Sequence, residues 1–541
     1  MGIPSYFSYL VRKHRQIIKT IQTSPPINNL YLDCNSFIYE AFYNLPPSDN
    51  LTSEAQLIKM TCDNIGKVIK LLKPSDRVYI AFDGVAPLAK LNQQRNRRYM
   101  AAFQKSLLEP APTPALDKWN TAAITPGTAF MTALGQAVAT RFAHPAEFGV
   151  TQLMVSSAEE PGEGEHKIYA YIRAEAAAHQ ATTTVIYGLD ADLIMLTINH
   201  LHIGERMYLF RETPEFIKSI DKTLNPGETY LLDIPLFART MIKELDVRES
   251  KTPVAAISLQ NEVLYDYIFM CFFLGNDFLP HFPALNIRTN GINKLLEAYK
   301  TVFSAGETLT QDRHIVWKNV RKFIGYLAQN ERGYMQTEYA QREKASKYAA
   351  QTQPPESNRG GGGESDPHLL LPLKERSVEI YINPYETGWE KRYYTALFNL
   401  PGDPTAAISL NYLTGLEWTM KYYSVGCADW RWQYNYYYPP LLTDLLKQVP
   451  YLDREFVVMQ PPAPVDPLVQ LSYVLPPSSM HLLPPGLHAK LLQTKPEWYV
   501  GNYTFVWAFC KFFWEAHVDL PTIDMTELEG IVLAIEKKNL P

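Results

Sequence analysis

Four short β-rich runs in the first 190 residues each lead into acid. NLYL (29–32) ends on Asp33, RVYIAF (77–82) on Asp83, VTQLMVS (150–156) runs on to Glu159 and Glu160, and TTTVIYGL (182–189) meets Asp190 and Asp192. Longer helical patterns separate the runs. That alternation predicts an α/β fold with a mostly parallel sheet flanked by helices. In an open parallel sheet the ligand crevice lies outside the carboxyl ends of the strands. Acids far apart in sequence would therefore meet in one pocket.

Two further motifs enlarge the set. PGEGEHKI adds Glu163 and Glu165 at a Gly-flanked entry into a helix, and LGNDFLP adds Asp277 behind an apolar run. Any single strand-end aspartate is more often a helix cap or a turn former. Seven or eight in one crevice repel one another and require a counter-charge. The five cysteines form no C-x-x-C pair, and no His cluster accompanies the acids. Oxygen-only ligation of that kind favours Mg2+, with Mn2+ as a substitute, over zinc. So many acids suggest two ions, which held about 4 Å apart would activate a water and stabilise a leaving oxygen. His166, beside the Glu pair, reads as structural.

The segment behind Asp83, GVAPLAKLNQQRNRRYMAAFQK, carries five Lys or Arg residues and no acid, in a chain whose formal net charge is −5. The overall charge argues against a broad basic face, so the positive segment must serve something local. A helix over 87–105, opening at Pro87, places Lys90, Gln94, Arg97 and Arg98 at i, i+4, i+7 and i+8, on one face. Arg95 and Asn96 point elsewhere. A solvated face would interleave acids for i, i+4 pairing, and none occurs. Arg forks and a Lys point charge suit a phosphate group. A metal-activated water beside a phosphate pocket is the arrangement of a nuclease that measures from a phosphorylated end.

At 541 residues with 46% hydrophobic content, the chain is globular and long enough for several domains. The expected division is a nuclease domain over 1–345, a linker rich in Pro, Gly and Ser over 346–367, and a second, mainly helical and aromatic-rich region over 368–541 packed onto the first. The scattered, odd-numbered cysteines argue for a reducing compartment. No apolar signal segment opens the chain, and YIFMCFFLG (267–275) is too short to span a bilayer. A soluble, intracellular protein is expected, cytoplasmic with the nucleus left open, and no basic cluster outside the 87–105 helix reads as a nuclear import signal. It is expected to act as a monomer.

These motifs resemble the XRN-type 5′→3′ exoribonucleases. MGIPSYF, LYLDCNSFIY, FDGVAPLAKLNQQRNRRY, ITPGTAFM, EPGEGEHKI, YGLDADLIML, LFRE, CFFLGNDFLPHFPAL and NGINKLL match in family order. WEKRYYTALF, DWRWQYNYYYPPLLTDL and LSYVLPPSSMHLLP resemble the family's second shared region. The resemblance implies a PIN/flap-nuclease-like sheet and metal-binding carboxylates at Asp33, Asp83, Glu163, Glu165, Asp190, Asp192 and Asp277, with Glu159 assisting. It implies a 5′-phosphate pocket of Lys90, Gln94, Arg97 and Arg98, the four residues that the helical spacing selects. Asn35 and Asn92 lie in matching motifs.

Where the family usually has a base-stacking His, this chain has Tyr39. Its ring can stack, at about 1–3 kcal/mol per base, but a phenol cannot become a cation. The partner aromatic is expected to be Trp430 or Trp432. The chain stops near the end of what the nuclease core needs, as a trimmed or compact member would. The implied activity is processive hydrolysis of single-stranded RNA from a 5′-monophosphate to nucleoside 5′-monophosphates. A structure-specific DNA 5′ nuclease and an inactive RNA-end-binding scaffold are the alternatives. An Asp-nucleophile phosphatase is weaker, because DCN lacks a second Asp two positions on.

Overall fold

The computed structural model describes residues 3, 5–21, 25–45, 53–108, 119–212, 224–225, 229–245, 253–303, 307–351 and 368–539. The four expected strands form and pair side by side: β2 (Asn29–Asp33), β3 (Arg77–Ala81), β4 (Gln152–Ser156) and β5 (Thr184–Tyr187). Three more extend the sheet: β1 (Ile18–Thr20), β6 (Met207–Glu212) and β7 (Thr229–Asp233). The order is β1-β7-β6-β5-β2-β3-β4. From β6 through β4 every pairing is parallel, while β7 runs antiparallel between β6 and β1. The central parallel strands β2 and β5 are covered on both faces, which is why they read as continuous apolar runs rather than alternating ones. Leu30, Tyr31, Leu32, Val78, Ile80, Val185 and Ile186 have no solvent exposure.

Register fixes the carboxyl edge. Leu32 of β2 lies opposite Tyr187 of β5, and Asp33 opposite Ala81 of β3. Asp33 therefore stands between the segments that follow β5 and β3, which carry Asp190, Asp192 and Asp83.

The second region is mainly helical and shares a core with the first. One apolar cluster runs from Ile3 and Tyr31 through Phe269 and Trp317 to Trp418, Tyr438 and Phe509. Trp418, Tyr412 and Tyr423, on the helix Thr405–Ser424, are fully buried. The aromatic excess beyond residue 368 is thus spent on burial against the first region.

The expected linker needs correction at its start. The helix Trp317–Gln351 continues past 345, and its regular ladder absorbs six residues assigned to the linker. The rest, 352–367, lies outside the described residues. On either side of that segment, Arg342 donates to both oxygens of Glu379, at 2.9 and 2.6 Å, and to the carbonyls of Phe509 and Cys510. Arg376 adds a bond to Glu379 at 2.7 Å. Buried, multiply bonded charge of this kind is costly to break, by about 3–5 kcal/mol when one partner is lost. Residues 1–351 and 368–541 produced as separate chains are accordingly expected to co-elute as one complex in gel filtration, and Glu379→Ala to separate them.

Among the described residues no helix is long and apolar enough to cross a membrane.

Candidate active site

The sheet delivers the acids to one place. Asp83, two residues beyond β3, accepts the backbone N–H of Gly164 at 2.7 Å and the side-chain amide of Asn35 at 2.7 Å. Asn35 in turn accepts the Asp83 N–H at 3.1 Å, so the loops after β2 and β3 are locked together. Gly164 permits this close approach, because a Cβ there would stand 2.6 Å from Asp33 Oδ1 and force that carboxylate to shift. The helix Gly164–Ala174 begins at that point and brings buried Glu163 and Glu165 over the strand ends.

Asp192 opens the helix Asp192–His200 behind β5. Asp277 arrives from the far side. The helix Pro253–Phe272 ends, Gly275 turns the chain at φ +84°, and Asn276 accepts the N–H groups of Phe278 and Leu279 at 2.9 Å each. That asparagine turn presents Asp277 to the crevice.

The electrostatics follow from crowding. Burial pushes the Asp33 carboxyl well above its ordinary pKa, reinforced by Asp83, Asp190 and Glu163. Glu165 is raised in the same way, by burial and then Asp192. Asp192 rises to about 7 through burial and Asp277. Lys90 is the protein's own answer: its ammonium sits 2.5 Å from Glu163 and 2.6 Å from Asp277. Burial would raise Asp277, but Lys90 outweighs it and holds the carboxyl below its usual range. Glu163 has the same ammonium yet stays raised, because it is buried and also faces Asp83.

One lysine does not balance the cluster. Asp33 Oδ1, Glu165 Oε2 and Asp192 Oδ1 are buried without a hydrogen-bond partner. Lys90 lies between Glu163 and Asp277, and among the described residues no three acids stand together as a ready cation cage. Orphaned carboxylate oxygens in an all-oxygen set fit a hard divalent cation.

The crowding has a testable pH dependence. Unfolded, Asp192 has its ordinary value of 3.8; folded, it is at about 7. Between these values the folded state binds more protons, so stability falls as pH rises from about 4 to about 7. In chelator, the melting temperature is expected to drop between pH 5 and pH 7, and Asp192→Asn to flatten that drop. An unchanged slope in the variant would remove Asp192 as its source.

The basic helix spans Leu88–Leu108. Its off-face residues anchor it, as the spacing predicts. Arg95 is buried, donates to Pro521 O at 2.8 Å and Trp498 O at 3.2 Å, and lies over the rings of Tyr99 and Tyr473. Asn96 accepts from Val518 N at 2.6 Å. Asn92 bridges the Gln433 amide and the Tyr473 hydroxyl, and the Ala86 N–H donates to Gln470 at 3.0 Å.

On the predicted face, Gln94 keeps a buried, unpartnered carbonyl oxygen, and Arg97 is exposed. Arg98 donates to Ala122 O and Ile124 O, both at 3.3 Å, and burial lowers its pKa to about 10. Tyr39 lies near enough to Arg98 to oppose that shift. Lys90 departs from the expectation. Lying in the first turn, directly over the acids, it is bonded to them and not turned toward Gln94 and Arg98.

The Glu159 side chain is exposed in the turn after β4, where Ser157 Oγ accepts its backbone N–H at 3.3 Å. Trp432 is committed to a stack on Trp418, with ring centroids 5.0 Å apart and planes at 28°. Trp430 is half-buried, and its carbonyl accepts the N–H of Leu88 at 3.0 Å, at the start of the basic helix. Three further residues lie near the acids; Arg211 falls in the LFRE motif without an expected role, and the two tyrosines carried no sequence signal. Arg211 of β6 faces Asp190, while Tyr422 and Tyr423 reach the acids from the second region.

Carboxylates gathered at the carboxyl edge of a parallel sheet, beside a helix that presents Gln and Arg, are the construction of a divalent-metal-dependent nuclease. The profile of the XRN 5'-3' exonuclease N-terminus matches residues 1–213, and that of the Xrn1 helical domain matches 259–360 and 375–538. The chain belongs to the XRN 5′-3′ exonuclease family. It is similar to the "5'-3' exoribonuclease 2 homolog" of Drosophila melanogaster, at 29% identity over 98% of this chain and 70% of that protein. It also resembles "5'-3' exoribonuclease 2" of Gallus gallus, at 26% identity over 98% and 69% of the two chains. The solved catalytic core of Rad2 in complex with DNA substrate aligns at 12% identity and a TM-score of 0.33, over 61% of this chain and 75% of that one, a likeness too low to carry weight.

Proposed function

We propose that the protein is a processive 5′→3′ exoribonuclease that hydrolyses 5′-monophosphorylated single-stranded RNA to nucleoside 5′-monophosphates. The observation that carries this reading is the meeting of the buried carboxylates around Asp33 with a helix whose next turns present Gln94, Arg97 and Arg98. Asp33, Asp83, Glu163, Glu165, Asp190, Asp192 and Asp277 would hold two Mg2+ ions, with Mn2+ able to substitute. Such ions supply an activated water and neutralise charge on the leaving 3′ oxygen.

The chain's own residues do the rest. Arg97 and Arg98 would grip one terminal phosphate with their forked donors, with the Gln94 amide beside them. This pocket would accept one terminal phosphate and reject a cap or triphosphate. Asn35 keeps Asp83 in place, and Lys90 offsets part of the carboxylate charge. Trp430, free of the Trp418 stack, is the aromatic suited to stack on a base opposite Tyr39. Asn92, bonded to Gln433 and Tyr473, ties the basic helix to the second region, which walls the site so that a free end must thread in.

The test compares 5′-monophosphate, 5′-triphosphate and 5′-hydroxyl RNA in Mg2+, with Asp190→Asn as control. Only the monophosphate is expected to be degraded efficiently. Equal degradation of all three ends would overturn the phosphate pocket, and activity surviving in the variant would overturn the metal assignment. A matched DNA oligonucleotide in the same assay separates this reading from a DNA 5′ nuclease.

A further inference from the structure

One helix of the second region does more than wall the site. Tyr422, on Thr405–Ser424, donates its hydroxyl to Glu163 Oε1 at 2.8 Å. The other oxygen of Glu163 takes Lys90 Nζ at 2.5 Å. The carboxylate is thus held from two sides, by one donor from each region. Tyr423, the next residue, is fully buried and faces Asp192, Glu165 and Asp277.

The Tyr422 ring cannot swing away. His166 stacks on it with centroids 3.7 Å apart and planes at 22°, and Trp418 covers the other side at 4.8 Å and 29°. Phe278, beside Asp277, meets its edge at 5.5 Å. Trp418 carries the stack on to Trp432 and donates its indole N–H to Asp429 O at 2.8 Å. A continuous ladder therefore runs from the Asp429–Trp432 loop, through Trp418 and Tyr422, to the helix that bears Glu163 and Glu165.

Core packing accounts for the rings but not for the hydroxyl. Phenylalanine at 422 would fill nearly the same space. Only tyrosine puts a donor on a buried carboxylate oxygen, and a hydrogen bond to an ionised group is about twice as strong as a neutral one.

We propose that Tyr422 is a positioning residue for the hydrolytic reaction, fixing the orientation of Glu163 and tying it to the Asp429–Trp432 loop of the second region. The inference rests on the reading of the acid cluster as a metal site. Groups that orient metal ligands typically change metal affinity or activity by about 10–100-fold when removed.

The experiment uses the full chain with Tyr422→Phe, and measures Mn2+ binding by calorimetry without RNA alongside steady-state RNA degradation. Mn2+ affinity is expected to fall about tenfold and kcat by a similar factor, with KM for RNA unchanged. Tyr412→Phe is the control. It removes a buried hydroxyl bond to Pro280 O at 3.0 Å on the same helix, and both readouts are expected to stay within twofold of wild type. In a Glu163→Gln background, Tyr422→Phe is expected to add less than twofold.

A wild-type chain that takes up no Mn2+ overturns the metal reading and this inference together. Wild-type uptake that Tyr422→Phe matches within twofold overturns the inference alone. A full tenfold loss repeated in the Glu163→Gln background would place the effect elsewhere and overturn it as well.

Discussion

Asparagine in place of Asp33 is expected to reduce kcat on 5′-monophosphorylated RNA by about a thousandfold or more, while raising the melting temperature of the metal-free protein. The first half follows from position. Asp33 ends the strand between the segments that bring Asp83 and Asp190, so it is the centre of the cluster. Removing several kcal/mol of charge stabilisation at the reacting phosphate, at about tenfold per 1.4 kcal/mol, gives that loss. The second half follows from crowding. Burial and three neighbouring acids hold the Asp33 carboxyl well above its ordinary pKa, so its charged form opposes folding at neutral pH. Asparagine keeps the shape and removes the charge. A higher melting temperature is therefore expected for the variant. Scanning calorimetry in chelator, paired with a single-turnover RNA assay, checks both. A variant both inactive and less stable would mean that Asp33 is chiefly a structural residue.

The second large effect separates two neighbouring arginines. Arg97 is exposed on the basic helix, and Arg98 is tied to the carbonyls of Ala122 and Ile124. Arg97→Ala is expected to lower kcat/KM for 5′-monophosphate RNA by about a hundredfold, as the loss of one or two charge-assisted bonds at about 1.5–3 kcal/mol each implies. Its melting temperature should stay within a degree or two, and degradation of 5′-hydroxyl RNA should barely change. Arg98→Ala is expected to lose both end selection and stability, since two carbonyls lose their donors, at about 1–3 kcal/mol. If Arg97→Ala slowed 5′-hydroxyl RNA equally, Arg97 would be a general backbone contact and not a reader of the terminal phosphate.

Much of this was legible in the chain itself. Strands β2 and β5 are buried on both faces, so they appear as unbroken apolar runs, and all four strands from β2 to β5 lead into acid. The helix behind Asp83 was visible because its cationic stripe keeps helical spacing without acids, and because Arg95 and Asn96 fall off that stripe. The antiparallel strands were not visible. β1 has three residues and β7 five, and β7 sits between segments with no periodic pattern; only antiparallel pairing across the sheet defines them.

The misplaced residues share one cause. Spacing can say which face Lys90 occupies, but not that the first turn of its helix lies over Glu163 and Asp277. Trp432 and Trp430 are equivalent in sequence and differ only through Trp418. Tyr422 looks like any core aromatic, and its hydroxyl finds a carboxylate 259 positions away.

The sheet order has a consequence for synthesis. Neighbouring strands at the site come from distant stretches of chain, so no local segment can assemble it. Asp33 leaves the ribosome early, but Asp277 emerges far later and the Tyr422 hydroxyl later still. A growing chain carries isolated acids for most of its elongation, and the nuclease is finished only when the second region arrives to complete the shared core. Each messenger that encodes this protein is thus largely translated before its acid cluster is complete.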